Sequence, residues 1–246
     1  MSDQPEPVDP RHIEVTRNGP YIVTGSVPLR RRRIVRTERD EAIAWETTEG
    51  LPISDTYALC RCGGSATKPF CDGTHRTREW DGTETADPDS YDQRSTAYPG
   101  EQVVVRDDRT ICAHAGFCGN KATNVWKMVA TTNDTAQRSH LMAMIERCPS
   151  GALTYRIDAS GPDLEPDVPS AVSVIHDGPL EVTGRIAVTR SDGVVLETRN
   201  RMTLCRCGAS ASKPLCDGSH TKVGFSDPQV PPSGSRPERT TAPGTP

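Results

Sequence analysis

The sequence predicts a mixed α+β protein in which two small β-rich units flank a small α+β domain. Three observations support this fold class. The stretch Cys60–His75 recurs with nearly the same letters as Cys205–His220. Each copy follows short alternating segments that are typical of β-strands. The chain between the copies, residues 99–160, combines strand-like segments with one helix-like segment and a third group of cysteines.

The composition indicates a protein that needs more than an apolar core to hold its fold. Only 34% of the 246 residues are hydrophobic and 4% are aromatic, and domains with so little core material usually depend on disulfides or metals. The nine cysteines are an odd number, so disulfides alone would leave one cysteine unpaired. The net charge of −4 argues against nucleic acid as the main partner.

The beginning of the chain, "MSDQPEPVDP", shows no secretory signal, and no apolar run reaches the length of a membrane span. We therefore expect a cytoplasmic protein whose cysteines stay reduced. In that setting clustered cysteines bind metal more often than they form disulfides.

The repeat extends beyond the cysteines. "GPYIVTGSVPL" (residues 19–29) and "GPLEVTGRIAV" (residues 178–188) share five letters, and each predicts a strand upstream of its motif. "DTYALC" and "NRMTLC" predict the strands that lead into the cysteines.

The first copy is 14 residues longer between these strands, around the arginine run Arg30–Arg33 and "TERDEAIAWETTEG". We interpret the excess as a loop insertion or a short added helix. We interpret the arginine run as a solvated loop or a charged edge strand, with a phosphate-binding or docking patch as the alternative.

The shared cysteine pattern is C-x-C-x8-C-D-G-[ST]-H. The side chains of Cys60 and Cys62 can point toward one centre from a tight loop. Cys71 and His75 are four residues apart, so they lie on one face if Asp72 caps a short helix. Three thiolates and one imidazole fit a structural zinc ion, and they also fit an iron–sulfur cluster.

The stretches "KPFCDGTH" and "KPLCDGSH", each with C-x-C ahead of it, resemble the CDGSH iron–sulfur family, whose members are mitoNEET-like. The resemblance covers the two repeats, roughly two thirds of the chain. It implies a [2Fe–2S] cluster in each motif, with one iron on the C-x-C pair and the other on the following cysteine and histidine. The implied ligands are Cys60, Cys62, Cys71 and His75 in the first motif, and Cys205, Cys207, Cys216 and His220 in the second.

The resemblance also implies a β-cap built by two intertwined units. Single-motif members take these units from two chains, whereas here both units lie in one chain. We therefore expect an intrachain pseudo-dimer and a monomeric protein. MitoNEET carries a membrane anchor, and because this sequence shows none, we expect no membrane association.

Residues 99–160 contain their own cysteine group. "EQVVVRD" and "GALTYRI" predict strands, and "SHLMAMIER" predicts a helix just before Cys148. Cys112, Cys118 and the Cys148-Pro149 pair match the first, third and distant positions of the bacterial ferredoxin pattern, but Ala115 stands at the second position.

The stretch is similar to single-cluster ferredoxins and to the divergent mono-cluster ferredoxin-like domain. That similarity implies either a [3Fe–4S] cluster on three cysteines or a [4Fe–4S] cluster whose fourth iron takes His114 or a solvent ligand. The alternatives are that His114 is a loop residue without a ligand role, or that the three cysteines are plain thiols.

We therefore divide the chain into four segments. They are a CDGSH-type unit with its cap strand (residues 10–98), a ferredoxin-like α+β domain (99–160), a second CDGSH-type unit (161–228) and a tail rich in Pro, Ser and Thr that we expect to be disordered (229–246).

The function that this organisation favours is one-electron transfer between the clusters and an external redox partner. One alternative is a carrier that delivers [2Fe–2S] clusters to an apo-acceptor, with the histidine ligand as the point of release. The other is a zinc-stabilised interaction module. The sequence shows no nucleophile–base pair, phosphate loop or substrate-pocket pattern, so we do not expect an enzyme.

Overall fold

The computed structural model describes residues 9–227. The tail predicted for residues 229–246 lies outside the described residues. The strands are β1 His12–Val15, β2 Tyr21–Thr24, β3 Leu29–Arg36, β4 Ala42–Gly50, β5 Thr56–Leu59, β6 Thr96–Pro99, β7 Val104–Asp107, β8 Leu153–Arg156, β9 Ala171–Ile175, β10 Leu180–Thr183, β11 Ala187–Thr189 and β12 Arg201–Leu204. The helices are α1 Tyr91–Arg94, α2 Val125–Met128, α3 Thr135–Glu146 and α4 Ser219–Lys222.

The two repeats exchange strands. One sheet has the order β11-β1-β2-β5 and the other has the order β12-β10-β9-β3-β4. Strand β11 of the second repeat lies parallel to β1 of the first, and β3 of the first repeat lies parallel to β9 of the second. The exchange is reciprocal, and it confirms the predicted pseudo-dimer within one chain.

The exchanged strands enclose one shared core. Alternate side chains of β1 and β2 are buried, as expected for strands with one face on a core. The buried apolar residues come from both repeats and include Ile13, Val15, Tyr21, Val23, Leu29, Val172, Val174, Val182, Ile186, Val188 and Leu204. Neither repeat could bury these side chains without the other.

The extra length of the first repeat is neither a loop nor a helix, so that prediction is wrong. The arginine run lies in β3, an interior strand between β9 and β4, and the following segment forms the edge strand β4. Interior arginines are tolerated here because each finds a partner: Arg32 forms an ion pair with the buried Glu181 and stacks on the ring of Trp45 at 4.5 Å. The pairing partner β9 lies more than a hundred residues away, so local sequence gives no sign of it.

The middle segment has its own sheet and core. Strands β6, β7 and β8 form an antiparallel sheet. Helices α2 and α3 pack on it around Val105, Met128, Leu141, Ile145 and Tyr155. The predicted helix is confirmed but begins earlier, because the Asp134 carboxylate accepts a hydrogen bond from the backbone N–H of Gln137 at 2.7 Å and caps it.

Arg201, at the start of β12, attaches the middle segment to the second repeat. Its buried guanidinium donates to the carbonyls of Ile145 and Glu146 at 3.0 Å and of Cys148 at 2.8 Å. Two of these carbonyls belong to the last residues of α3, and the third lies two residues beyond its end. The contact therefore holds Cys148 at a set position relative to the second cysteine motif.

Candidate metal centres

The first cysteine motif begins where β5 ends. The backbone N–H of Cys60 donates to the carbonyl of Pro69 at 2.8 Å, and that of Cys71 donates to Ala58 at 2.9 Å. These bonds fold the loop back onto the strand, so that Cys60 Sγ lies 3.9 Å from Cys62 Sγ.

Cys71 and His75 form a second pair in the first motif, with 3.4 Å between Sγ and Nδ1. Asp72 does not cap a helix as predicted, because the N-cap position of the following turn is Gly73 and no side chain caps it. The Asp72 carboxylate instead accepts from the N–H of Thr74 at 3.0 Å and from that of Ala66 at 2.7 Å. The turn that follows is a single 3₁₀ turn rather than an α-helix. Asp72 thus ties the loop to the turn and brings the imidazole back over the cysteine.

The second motif repeats this arrangement. Cys205 Sγ and Cys207 Sγ are 3.6 Å apart, and Cys216 Sγ lies 3.5 Å from His220 Nδ1. Asp217 accepts from two backbone N–H groups, as its counterpart does in the first motif.

The four pair distances match those of two ligands on one tetrahedral metal. With metal–sulfur bonds of about 2.3 Å and metal–nitrogen bonds of about 2.0 Å, two sulfurs lie about 3.8 Å apart and a sulfur and a nitrogen about 3.5 Å apart. Among residues 9–227, no three His, Cys, Asp or Glu side chains are gathered closely enough to hold a single metal ion. Each motif therefore offers two ligand pairs, which suits a centre with two metals better than a mononuclear zinc site.

One thiol of each C-x-C pair has a lowered pKa and therefore ionises more readily. A hydrogen bond from Cys60 lowers the pKa of Cys62 to about 6, and a hydrogen bond from Cys207 lowers the pKa of Cys205 to about 6. Metal binding requires thiolates. The geometry therefore makes one thiolate of each pair available near neutral pH: that of Cys62 in the first motif and that of Cys205 in the second.

Two buried arginines next to the thiolates are functional candidates that the sequence reasoning missed. Arg61 and Arg206 are the middle residues of the two C-x-C sequences, and both are almost fully buried. Arg61 forms an ion pair with Glu84 at 3.2 Å. The signal was present, because the same arginine stands between the cysteines in both copies.

Arg206 is held by a denser set of partners. It donates to Asp227 at 2.6 Å and to the carbonyls of Gly178 and Ile175 at 2.7 Å. Asp227 is itself fully buried. Asp227 is therefore part of the folded second unit, because its carboxylate neutralises the buried Arg206.

The aromatic residues five positions after each histidine pack on these arginines. Trp80 lies over the Arg61 guanidinium at 5.0 Å, and Phe225 lies over that of Arg206 at 4.9 Å. Trp80 and Phe225 therefore pack in equivalent positions of the two repeats.

The middle cysteines surround a cavity. A space of about 130 Å³ is lined by Cys112, Cys118 and Cys148, and also by Ala115 and His114. Three cysteines that are distant in sequence therefore face one cavity, and the position that a fourth ferredoxin cysteine would occupy also faces it. The cavity, with its three sulfur donors, fits an iron–sulfur cluster.

The middle site touches the second motif through His114. A Cβ atom at Gly218 would overlap Cδ2 of the His114 ring. Burial under this contact is the largest cause that raises the pKa of Cys216. The middle and second sites are therefore neighbours.

Comparison with protein families identifies the three parts of the chain. Residues 18–76 and 177–221 match a family described as the iron-binding zinc finger of CDGSH type. Residues 98–158 match a family described as a divergent 4Fe-4S mono-cluster. Searches of curated proteins and of solved structures found no match. No helix within residues 9–227 combines the length and apolar character that crossing a bilayer requires.

Proposed function

This iron–sulfur protein carries two CDGSH-type segments around one divergent 4Fe-4S mono-cluster segment, and we propose that it transfers single electrons between its clusters and an external redox protein. A bound cluster supplies a centre that takes up one electron from a donor and returns it to an acceptor. The chain matches two families of iron–sulfur proteins that carry electrons, and this supports an electron carrier rather than an enzyme.

The ligand pairs support a [2Fe–2S] cluster in each outer motif. We assign one iron to the C-x-C pair and the other to the cysteine–histidine pair, since each pair has the spacing of two ligands on one metal. The middle cavity takes a [4Fe–4S] or [3Fe–4S] cluster on Cys112, Cys118 and Cys148. His114 lines the same cavity and is the candidate for a fourth ligand.

The observation that carries the electron-transfer proposal is the adjacency of the three sites. His114 of the middle loop contacts Gly218 of the second motif. The second motif in turn contacts the first through an antiparallel β-bridge between Cys62 and Cys207. The three sites therefore form a continuous series within one chain, as transfer from cluster to cluster requires.

The buried arginines suit such a role. A guanidinium beside a cluster offsets the negative charge of the thiolates and of an added electron, and charge near a cluster is one of the factors that set its potential. Arg61 stands between the two cysteines of the first C-x-C pair, and Arg206 stands between those of the second. We propose that Arg61 and Arg206 hold both outer clusters at a potential that an external donor can reach.

A cluster carrier is the second candidate function. The observation that favours it is the exposure of the first motif, where the space around Gly73 is open.

We further propose that the chain acts as a monomer in a reducing compartment, the cytoplasm, because both halves of the cap lie in one chain and none of the nine cysteines forms a disulfide.

Metal and sulfide analysis of anaerobically purified protein tests the proposal. We expect a brown protein with about seven or eight iron atoms per chain. A count of about four iron atoms would show that the protein has no middle cluster, and zinc in place of iron would overturn the proposal.

Electron transfer is tested by EPR of partly reduced protein. In the wild type, the spins of the middle and second clusters should broaden each other's signals. In Cys118→Ser, which removes one middle ligand, the outer signals should sharpen. A carrier would instead pass iron and sulfide together to an apo-acceptor without any net oxidation or reduction.

A further inference from the structure

The two CDGSH motifs have almost the same sequence but different surroundings. In the first motif Cys71 and Gly73 are partly exposed and Asp72 is exposed. In the second, the equivalent Cys216 is only 2% exposed and Gly218 is buried. The difference lies in what covers each motif, because Asp72 and Asp217 accept equivalent backbone hydrogen bonds in the two loops.

The middle domain supplies the cover of the second motif. The two glycines have nearly equal backbone angles, with φ of 88° at Gly73 and 83° at Gly218. A Cβ atom at Gly73 would meet no atom within 4 Å, whereas one at Gly218 would overlap the His114 ring. His114 itself has φ of 57°, an uncommon angle for a residue with a side chain. The loop therefore holds a strained backbone in the conformation that lays this ring on Gly218.

His114 is important to this cover because the middle domain does not fill the space beside it. A cavity of about 210 Å³ lies between the middle loop and the second motif, and both His114 and His220 line it. The cavity already reaches His220, and without the His114 ring it would extend over Gly218 toward Cys216.

We propose that the two outer sites are unequal in function: the first is the site that exchanges its cluster with partners, and the second is retained under a cover formed by His114. The proposal rests on the assignment of a [2Fe–2S] cluster to each motif. His114 acts here as a positioning residue, whether or not it also binds the middle cluster. An incoming acceptor or chelator reaches the Cys71 and His75 side of the first cluster without displacing any domain.

The test is the rate at which an iron chelator removes the outer clusters, followed by visible absorbance of the holoprotein. We expect two phases of equal amplitude in the wild type. His75→Cys, which replaces the labile ligand of the first site, should remove the fast phase, and His220→Cys should leave it unchanged. A single phase, or loss of the fast phase in His220→Cys, would overturn the proposal.

The cover is tested with His114→Asn, because asparagine tolerates the left-handed backbone but has no ring. We expect the slow phase to become about tenfold faster, with the fast phase unchanged. His140→Asn is the matched control. His140 is an exposed histidine on α3, 26 residues after His114 in the same domain. A slow phase that is equal in both variants would show that His114 is not the cover.

The initial iron and sulfide counts separate this inference from the proposed function. Protein without iron would contradict the proposed function itself. Protein with full iron and coupled EPR signals, but with equal release from both motifs, would contradict only the inequality of the two sites. The EPR signal of the middle cluster, recorded in His114→Asn, shows whether that cluster remains in place while the slow phase is measured.

Discussion

Cys62 of the first motif and Cys207 of the second are paired by an antiparallel β-bridge. The bridge needs glycine on both sides: a Cβ atom at Gly63 would lie 2.5 Å from the Cys207 carbonyl oxygen, and one at Gly208 would lie 2.6 Å from that of Cys62. The C-x-C-G sequence therefore has two roles. It places two thiolates, and it allows the backbones of the two motifs to meet.

Gly63→Ala should destabilise the protein more than an equally strained substitution in open space. Gly63 has φ of 76° and Gly193 has φ of 86°, but a Cβ atom at Gly193 would meet no atom within 4 Å. Left-handed strain alone costs about 1–2 kcal/mol, which we expect for Gly193→Ala. The added collision with the backbone of Cys207 should raise the loss to about 3 kcal/mol or more for Gly63→Ala. Equal losses in denaturant-induced unfolding would contradict close contact between the motifs.

The Arg206–Asp227 pair should be strongly coupled, because its side chains are 1% and 0% exposed. Arg206→Met removes the nearest cation from the buried Asp227 carboxylate, which keeps Arg31 at 3.9 Å, and should lower the free energy of unfolding by about 3 kcal/mol. Adding Asp227→Asn should restore part of that loss. The exposed pair Arg33–Glu46 is the control, and Arg33→Met should cost about 0–1 kcal/mol. Strictly additive effects at Arg206 and Asp227 would show that the pair is not coupled.

The second outer site should lose its metal as the pH falls below about 6.5. Burial first, and then the positive charge of Arg206, lowers the pKa of His220 from 6.5. A histidine with a lowered pKa contributes stability that is present above the unfolded pKa and is lost as the pH falls through the lower folded value. Its imidazole must also be neutral to bind iron.

Visible absorbance followed from about pH 8 to about pH 5 measures this loss, with His220→Cys as the control. The variant should keep its second cluster at pH values where the wild type bleaches, and a double variant with His75→Cys should keep both. If the variants and the wild type bleach together, protonation of histidine is not the cause.

Ala115→Cys should give the middle site a full set of cysteine ligands. Ala115 lines the same cavity as Cys112, Cys118 and Cys148 and stands where the ferredoxin pattern has its second cysteine. If the wild type holds a [3Fe–4S] cluster, its EPR signal in the oxidised protein should disappear, and the iron content should rise by about one atom per chain. Unchanged iron content and EPR would indicate that the fourth iron is already bound in the wild type.

Much of the fold follows from local pattern. The strands before each motif, the helix before Cys148 and the closing strand β8 all lie where alternation and helical spacing predict them. The pairing of β3 with β9 could not be predicted in this way, because the four arginines look like a surface segment until Glu181 and Trp45 are placed beside them.

The sequence by itself predicted the two ligand sets. It determined the shape of each motif, because that shape depends on hydrogen bonds within sixteen residues, such as those of Asp72 and Asp217. Only the tertiary structure decided how the motifs differ. His114 lies on Gly218, and open space surrounds Gly73. A short motif fixes the distances between its own atoms, but its burial is set by segments that are remote in sequence, and two nearly identical motifs therefore have unequal surroundings.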